Sequence, residues 1–186
     1  AEQSGLDQLP GEGWAVVAPV RNANGLVWEP WDAMRTPDMT QANPDETFVL
    51  DLIACLSARY AIDQDRIFVG GISIGGTFTN YLLRRHGDLF AGGIVGSGNF
   101  VLTEPTEPTE LDDMTVIVAW GGETDVWTGC PDGRMGAEFS GEPGCVTAEF
   151  VADASLASQF YATEPNVRQV ACTEDVGHIW IAQATP

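Results

Sequence analysis

A parallel α/β sheet with helices on its faces is the architecture the sequence predicts, and three observations predict it. Apolar runs rich in β-branched residues alternate with stretches of helical period, the pattern that builds a parallel sheet from crossover units. One run, Arg66-Ile67-Phe68-Val69, passes directly into Gly70-Gly71-Ile72-Ser73-Ile74-Gly75-Gly76, and Phe78, Tyr81 and Leu82 follow at helical spacing. An acid, Asp125, and a histidine, His178, each fall just beyond a later predicted strand, at the edge where open parallel sheets bind ligands.

The junction at Ser73 carries the most specific signal. Gly71, Ser73 and Gly75 form Gly-x-Ser-x-Gly, which is a common pentapeptide by itself. Between a strand and a helix it implies a tight turn that strains the serine backbone and lifts its Oγ above the sheet. The helix N–H groups then point at the same spot. Small residues two before and two after the serine prevent collisions, and Gly76 allows still closer packing of helix on strand. We read Ser73 as a nucleophile; the alternative is a glycine-rich turn with an incidental serine.

Taken in order, residues 1–13 read as the tail of a helix and a turn, and Trp14 to Val20 as a buried strand. Arg21 to Ala42 has no steady period and is too long for a passive connector. Its Trp28 and Trp31 either wall a binding cleft or pin the loop onto the core. Asn43-Pro44-Asp45-Glu46 is a helix start, with a capping side chain, proline at the first turn and acids near the dipole's positive end. Phe48, Val49, Leu52, Ile53 and Leu56 give that helix one apolar face, and it should end near Tyr60.

Asp63 to Asp65 turn into the central strand and its serine. Arg84-Arg85-His86-Gly87 closes the following helix, which gives His86 a structural role. Ala91 to Val95 form a short strand ending in Gly96-Ser97-Gly98-Asn99. Residues 103–110 repeat Thr-Glu-Pro and read as a solvated extended loop. Thr115 to Trp120 is a buried strand leading through Gly121-Gly122-Glu123-Thr124 to Asp125. A glycine-rich excursion to Gly144 follows, then a helix from about Thr147 to Tyr161, a last strand from Val167 to Cys172, and Gly177-His178-Ile179-Trp180 beyond it.

Composition sets bounds on function. At 186 residues the chain reads as a single domain, 1–186, and 44% hydrophobic content suits a packed core despite a net charge of -19. All eight cations are arginine. This balance argues against nucleic-acid and anionic-membrane partners, and no apolar run reaches membrane-spanning length. The first residue is alanine, so either a leader has been removed or the chain is a fragment of something longer. Of four cysteines, Cys130 and Cys145 bracket a Gly/Pro-rich stretch and are the expected disulfide. Closing such a loop contributes about 3 kcal/mol in the chain-entropy model. Cys55 and Cys172 are expected to be free and buried. Two histidines and no Cys-x-x-Cys argue against a metal site, and no cofactor is implied. The even cysteine count and missing lysines lean towards export to an oxidising compartment.

A serine hydroxyl needs an imidazole to take its proton and a carboxylate to hold that ring in the right tautomer. With His86 assigned to a helix end, His178 is the base that remains. Asp125 is the acid: Glu174 and Asp175 lie too close to His178 in sequence, Asp112 and Asp113 precede their strand, and no acid directly follows Gly96. The order Ser73, Asp125, His178 is the one expected of this architecture. The backbone N–H of Ile74 supplies one oxyanion donor. The second normally comes from a loop after an earlier strand, often beginning His-Gly, and no such segment precedes Ser73.

Tyr60-Ala61-Ile62-Asp63-Gln64-Asp65-Arg66-Ile67-Phe68-Val69-Gly70-Gly71-Ile72-Ser73-Ile74-Gly75-Gly76 resembles a signature of the polyhydroxybutyrate depolymerase-like and feruloyl esterase-like α/β-hydrolases. The likeness continues through Gly87 to Ala91, Trp120 to Asp125, and Gly177 to Trp180. It implies an α/β-hydrolase fold and secreted or periplasmic hydrolysis of carboxylic esters through an acyl-enzyme, with Ser73, Asp125 and His178 as the triad. Trp120-Gly121 stands where many members have His-Gly. On this resemblance Trp14 to Val20 aligns with the strand after the one bearing the oxyanion loop, so the chain is expected to be N-terminally incomplete and weakly active or inactive alone. In the other alignment that segment is the oxyanion strand, and Arg21-Asn22-Ala23 donates the second bond.

Trp28, Trp31, Trp127 and Trp180 fall in loops expected to line the cleft, which suits aromatic or short hydroxyalkanoate esters, small or polymeric. Two further functions fit the same residues: a serine peptidase of the same fold, and a non-catalytic binding domain lacking a complete oxyanion hole.

Overall fold

The computed structural model describes residues 13–19, 44–100 and 110–178. Trp28, Trp31, Trp180, the Asn43 cap, Arg21-Asn22-Ala23 and nearly all of the Thr-Glu-Pro repeat lie outside these residues. Among the described residues four strands form a parallel sheet: β1 (Phe68–Ile72), β2 (Gly92–Gly96), β3 (Met114–Trp120) and β6 (Val167–Thr173), in the order β1-β2-β3-β6. Between β3 and β6 the chain makes an antiparallel hairpin of β4 (Val126–Gly129) and β5 (Val146–Glu149). The α-helices of the described residues are α1 (Pro44–Arg59), α2 (Ile74–Arg85) and α3 (Phe150–Thr163).

The register brings the carboxyl ends of the strands level. Ile72 lies beside Gly96, Gly96 beside Ala119, and Trp120 beside Thr173. The residues that follow β1, β2, β3 and β6 therefore share one edge. The core lies beneath it, where Leu82, Leu83, Val95, Val116, Val118 and Tyr161 are almost wholly buried. Asn80 is buried too, with its Oδ1 accepting from the Tyr161 hydroxyl at 3.0 Å and its Nδ2 donating to the Asn99 carbonyl at 3.3 Å. Such pairing is what permits polar groups in a core.

Several expectations are corrected. Residues 14–19 form no strand and are largely exposed; Trp14 instead packs edge-on against Phe68 and beneath Arg66. An apolar run becomes a strand only by pairing, and among the described residues none pairs with this one. The strand read as central, β1, stands at one end of the described sheet. Thr147 to Glu149 are strand, and α3 begins at Phe150; cross-strand bonds to β4 take these residues before the helix can. Phe48 is 46% exposed, so the apolar face of α1 is narrower than its sequence suggests. Cys55 is exposed and free, and Cys172 is free and half-buried. The Cys130–Cys145 disulfide is present.

One buried acid ties α1 to the end of α2. Glu46 accepts from the Tyr81 hydroxyl at 2.7 Å, and its Oε1 meets both Arg85 Nε and His86 Nε2 at 2.6 Å. His86 thereby serves as a helix end and a partner for this acid. Burial pushes the Glu46 carboxyl up, but hydrogen bonds from Tyr81, His86 and Arg85 outweigh it, and the net displacement is below 4.5. The same burial, with the bond to Glu46, raises the Tyr81 phenol well above its ordinary range. A carboxyl depressed by folding stabilises the folded state above its unfolded value, and that contribution is lost as pH falls through the folded value. Glu46→Gln should lower the unfolding free energy at neutral pH by about 2 kcal/mol. In urea titrations the gap from the parent should close as pH drops below 4.5.

Candidate active site

Ser73 is the last residue before α2 and holds φ 58°, ψ −123°. A non-glycine residue there is strained and persists only where its surroundings hold it. The restraints are visible: the Ser73 N–H donates to the Gly96 carbonyl at 2.8 Å, and its own carbonyl accepts from the Thr77 N–H at 2.8 Å. A methyl group on Gly71 would lie 2.5 Å from the Gly75 backbone, and one on Gly76 would lie 2.3 Å from the Gly96 carbonyl oxygen. Those two glycines allow strand, turn and helix to close together. Gly75 is different, because a methyl there would meet open space; the crowding expected of it belongs to Gly71. Ile74 opens α2, so its backbone N–H is one of those a helix leaves unbonded in its first turn.

Asp125 and His178 meet. After β3 the chain makes a short 3-10 turn, Gly122–Thr124, which delivers Asp125 to the carboxyl edge fully buried. Its Oδ1 lies 2.7 Å from His178 Nδ1. Its Oδ2 accepts from the Ser97 hydroxyl at 2.7 Å and the Gly121 N–H at 2.8 Å. A carboxylate with two donors on one oxygen takes the imidazole N–H on the other. That bond sets the tautomer, with the proton on Nδ1 and the Nε2 lone pair left free. His178 is only slightly exposed, and the Phe150 ring stacks on it with centroids 4.5 Å apart and planes 15° from parallel.

Backbone bonds hold the histidine loop. The Gly121 carbonyl accepts from the Val176 and Gly177 N–H groups at 3.2 and 3.0 Å. The competing acids stand elsewhere: Asp175 accepts from the Thr124 hydroxyl at 2.9 Å, while Asp112 and Asp113 precede β3 at the opposite edge. Ser73 shares the edge with the bonded pair, one residue beyond β1.

The hairpin begins and ends against the same acid. Val126 pairs with Glu149, and the Phe150 N–H donates to the Asp125 carbonyl at 3.0 Å. Trp127 lies half-buried on β4, and of the four tryptophans expected to line a cleft it alone falls within the described residues. Farther out the disulfide and Arg134, paired with Asp132 and Glu142, brace the tip. Sequence reading missed both Ser97 and Phe150. Ser97 follows a strand as Ser73 does, and that position was the available signal. Nothing local marks Phe150, which reaches the histidine only through the hairpin.

A methyl group on Gly121 would sit 1.7 Å from the Gly177 carbonyl oxygen. Gly121→Ala must therefore displace the histidine loop. We expect a loss of about 2 kcal/mol in denaturant unfolding, with the hydrogen-bonded His178 proton disappearing from the downfield NMR spectrum.

The chain is similar to several known proteins. Residues 39–124 match the model of the prolyl oligopeptidase family, Peptidase_S9. An oxidized polyvinyl alcohol hydrolase from Pseudomonas sp is 28% identical over 226 residues, covering 92% of this chain and 57% of the relative. Another oxidized polyvinyl alcohol hydrolase, from Sphingopyxis sp. (strain 113P3), is 27% identical over 225 residues, covering 93% of this chain and 59% of the relative. The chain thus spans a little over half the length of these relatives. Among solved structures, native pOPH superposes with a TM-score of 0.63 at 28% identity, over 75% of this chain and 48% of the other. The Bacillus cereus carboxylesterase, at 15% identity and a TM-score of 0.53, covers 74% of this chain and 54% of its own. The fold is that of the α/β-hydrolases.

Proposed function

We propose that this chain carries the nucleophile, acid and base of a serine hydrolase that cleaves carboxylic esters through an acyl-enzyme. The observation that carries the reading is the buried Asp125 carboxylate bonded to His178 Nδ1 at 2.7 Å, on the edge where the strained Ser73 stands. Ser73 Oγ attacks the ester carbonyl as His178 Nε2 takes its proton. The tetrahedral oxyanion is held by the Ile74 N–H and a second donor. His178 then protonates the departing alkoxide as the carbonyl re-forms. Water, deprotonated by the same imidazole, attacks the acyl-enzyme; the acyl–Oγ bond breaks as the imidazolium returns its proton to Ser73 Oγ, and the acid is released. Asp125 keeps Nε2 free and stabilises the imidazolium formed in each half-reaction.

The substrate class we favour is an aromatic, feruloyl-like ester or a short hydroxyalkanoate ester. Its support is the sequence signature from Tyr60 to Gly76 and the half-buried Trp127 beside the acid. The net charge of -19 supports a neutral substrate rather than nucleic acid. The Cys130–Cys145 disulfide supports a secreted or periplasmic protein, and no described helix is long and apolar enough to cross a membrane. A second substrate class is favoured by the two relatives: carbonyl groups of an oxidised polymeric alcohol, attacked by the same serine. The match to the prolyl oligopeptidase family supports peptide cleavage as the third.

A fluorophosphonate probe should label the full-length protein at Ser73, with Ser73→Ala unlabelled and its ester turnover lower by on the order of a million-fold. Absence of any adduct on the parent protein points instead to a non-catalytic binding domain. Parallel assays on p-nitrophenyl esters, oxidised polyvinyl alcohol and a prolyl peptide rank the three substrate classes.

A further inference from the structure

The end of β2 carries a second strained serine. Ser97 is 2% exposed and holds φ 44°, a left-handed conformation that glycine adopts without cost. Both its neighbours, Gly96 and Gly98, are glycine, yet this position keeps a side chain. The strand register sets the residues just before the two serines, Ile72 and Gly96, side by side.

What the side chain supplies is a hydrogen bond to the acid. Ser97 Oγ donates to Asp125 Oδ2 at 2.7 Å, alongside the Gly121 N–H at 2.8 Å. A carboxylate can turn about its Cβ–Cγ bond and exchange its two oxygens. With Oδ2 held by two donors that follow different strands, the group is kept from turning, and Oδ1 stays aimed at His178 Nδ1. The Ser97 backbone fixes the donor in turn: its N–H bonds the Ala119 carbonyl at 2.8 Å, and the Gly96 carbonyl just before it accepts the Ser73 N–H.

We propose that Ser97 is a positioning residue for the acid–base pair, locking the Asp125 carboxylate so that His178 keeps its proton on Nδ1 and Nε2 stays basic. This deepens the serine-hydrolase reading and rests on it.

The test is Ser97→Gly, with Ser97→Ala beside it, in the full-length protein. Glycine removes the hydroxyl and also relieves the backbone strain, so a purely structural serine would be replaced without loss. We expect kcat on a p-nitrophenyl ester to fall about tenfold in both variants, the size expected for one hydrogen bond to a charged group, with KM little changed. The downfield proton of the His178–Asp125 bond should broaden or vanish. In an Asp125→Asn background, Ser97→Gly should cost no further activity, because there is no carboxylate left to position. Parent-like kcat with an unmoved proton resonance in Ser97→Gly overturns the proposal, as does a full additional loss in the Asp125→Asn background. The resonance separates the two possible failures. If the parent protein shows no Ser73-dependent turnover, the hydrolase reading falls, while the proton signal still decides whether Ser97 holds the pair.

Discussion

A carboxylate taken wholly out of water must be surrounded by donors or it will not stay charged, and the carboxyl edge of this sheet is built to meet that demand at Asp125. Three strands contribute. Ser97 arrives from the end of β2, the Gly121 N–H from the end of β3, and His178 from the loop beyond β6. Each reaches the acid only if its strand is in register with the others, so the hydrogen bonding of one side chain is coupled to the alignment of the parallel sheet. The strained turn at Ser73 joins the same arrangement through the Gly96 carbonyl.

The second buried acid, Glu46, does different work with similar means. It gathers a phenol and a guanidinium from α2 and an imidazole from its C-terminal cap, and so fixes α1 against the helix that starts after Ser73. Both histidines are thus held by carboxylates. What distinguishes them is their surroundings. His86 caps a helix far from the carboxyl edge, whereas His178 stands at that edge under an aromatic ring.

The parts of this site that were legible from sequence are those set by local geometry. A serine between a strand and a helix needs small neighbours, and Gly71 and Gly76 meet the backbone contacts that require them. Asp125 and His178 could be chosen because each follows a strand, whereas Asp112 and Asp113 precede theirs, Glu174 and Asp175 lie too close to His178 in sequence, and His86 ends a helix. Ser97 and Phe150 were missed because their partners lie 28 residues away in sequence and across a hairpin, respectively. Residues 147–149 fit a helical period as well as a strand, and only pairing with β4 decided between them. The Trp14 segment erred the other way: its composition suits a strand, but a strand exists only beside another.

Because the β4–β5 hairpin leaves from Asp125 and returns at Phe150, everything between them is a detour whose two ends are anchored by the acid's own backbone carbonyl and the first residue of α3. The disulfide at Cys130 and Cys145 closes off the outer part of that detour. Evolution can therefore lengthen, shorten or recolour the loop beyond the cystine while the inner rungs keep their places. The outward tip and the footing beside the buried acid are in this way carried by separate stretches of the same excursion, and the first can drift without eroding the second.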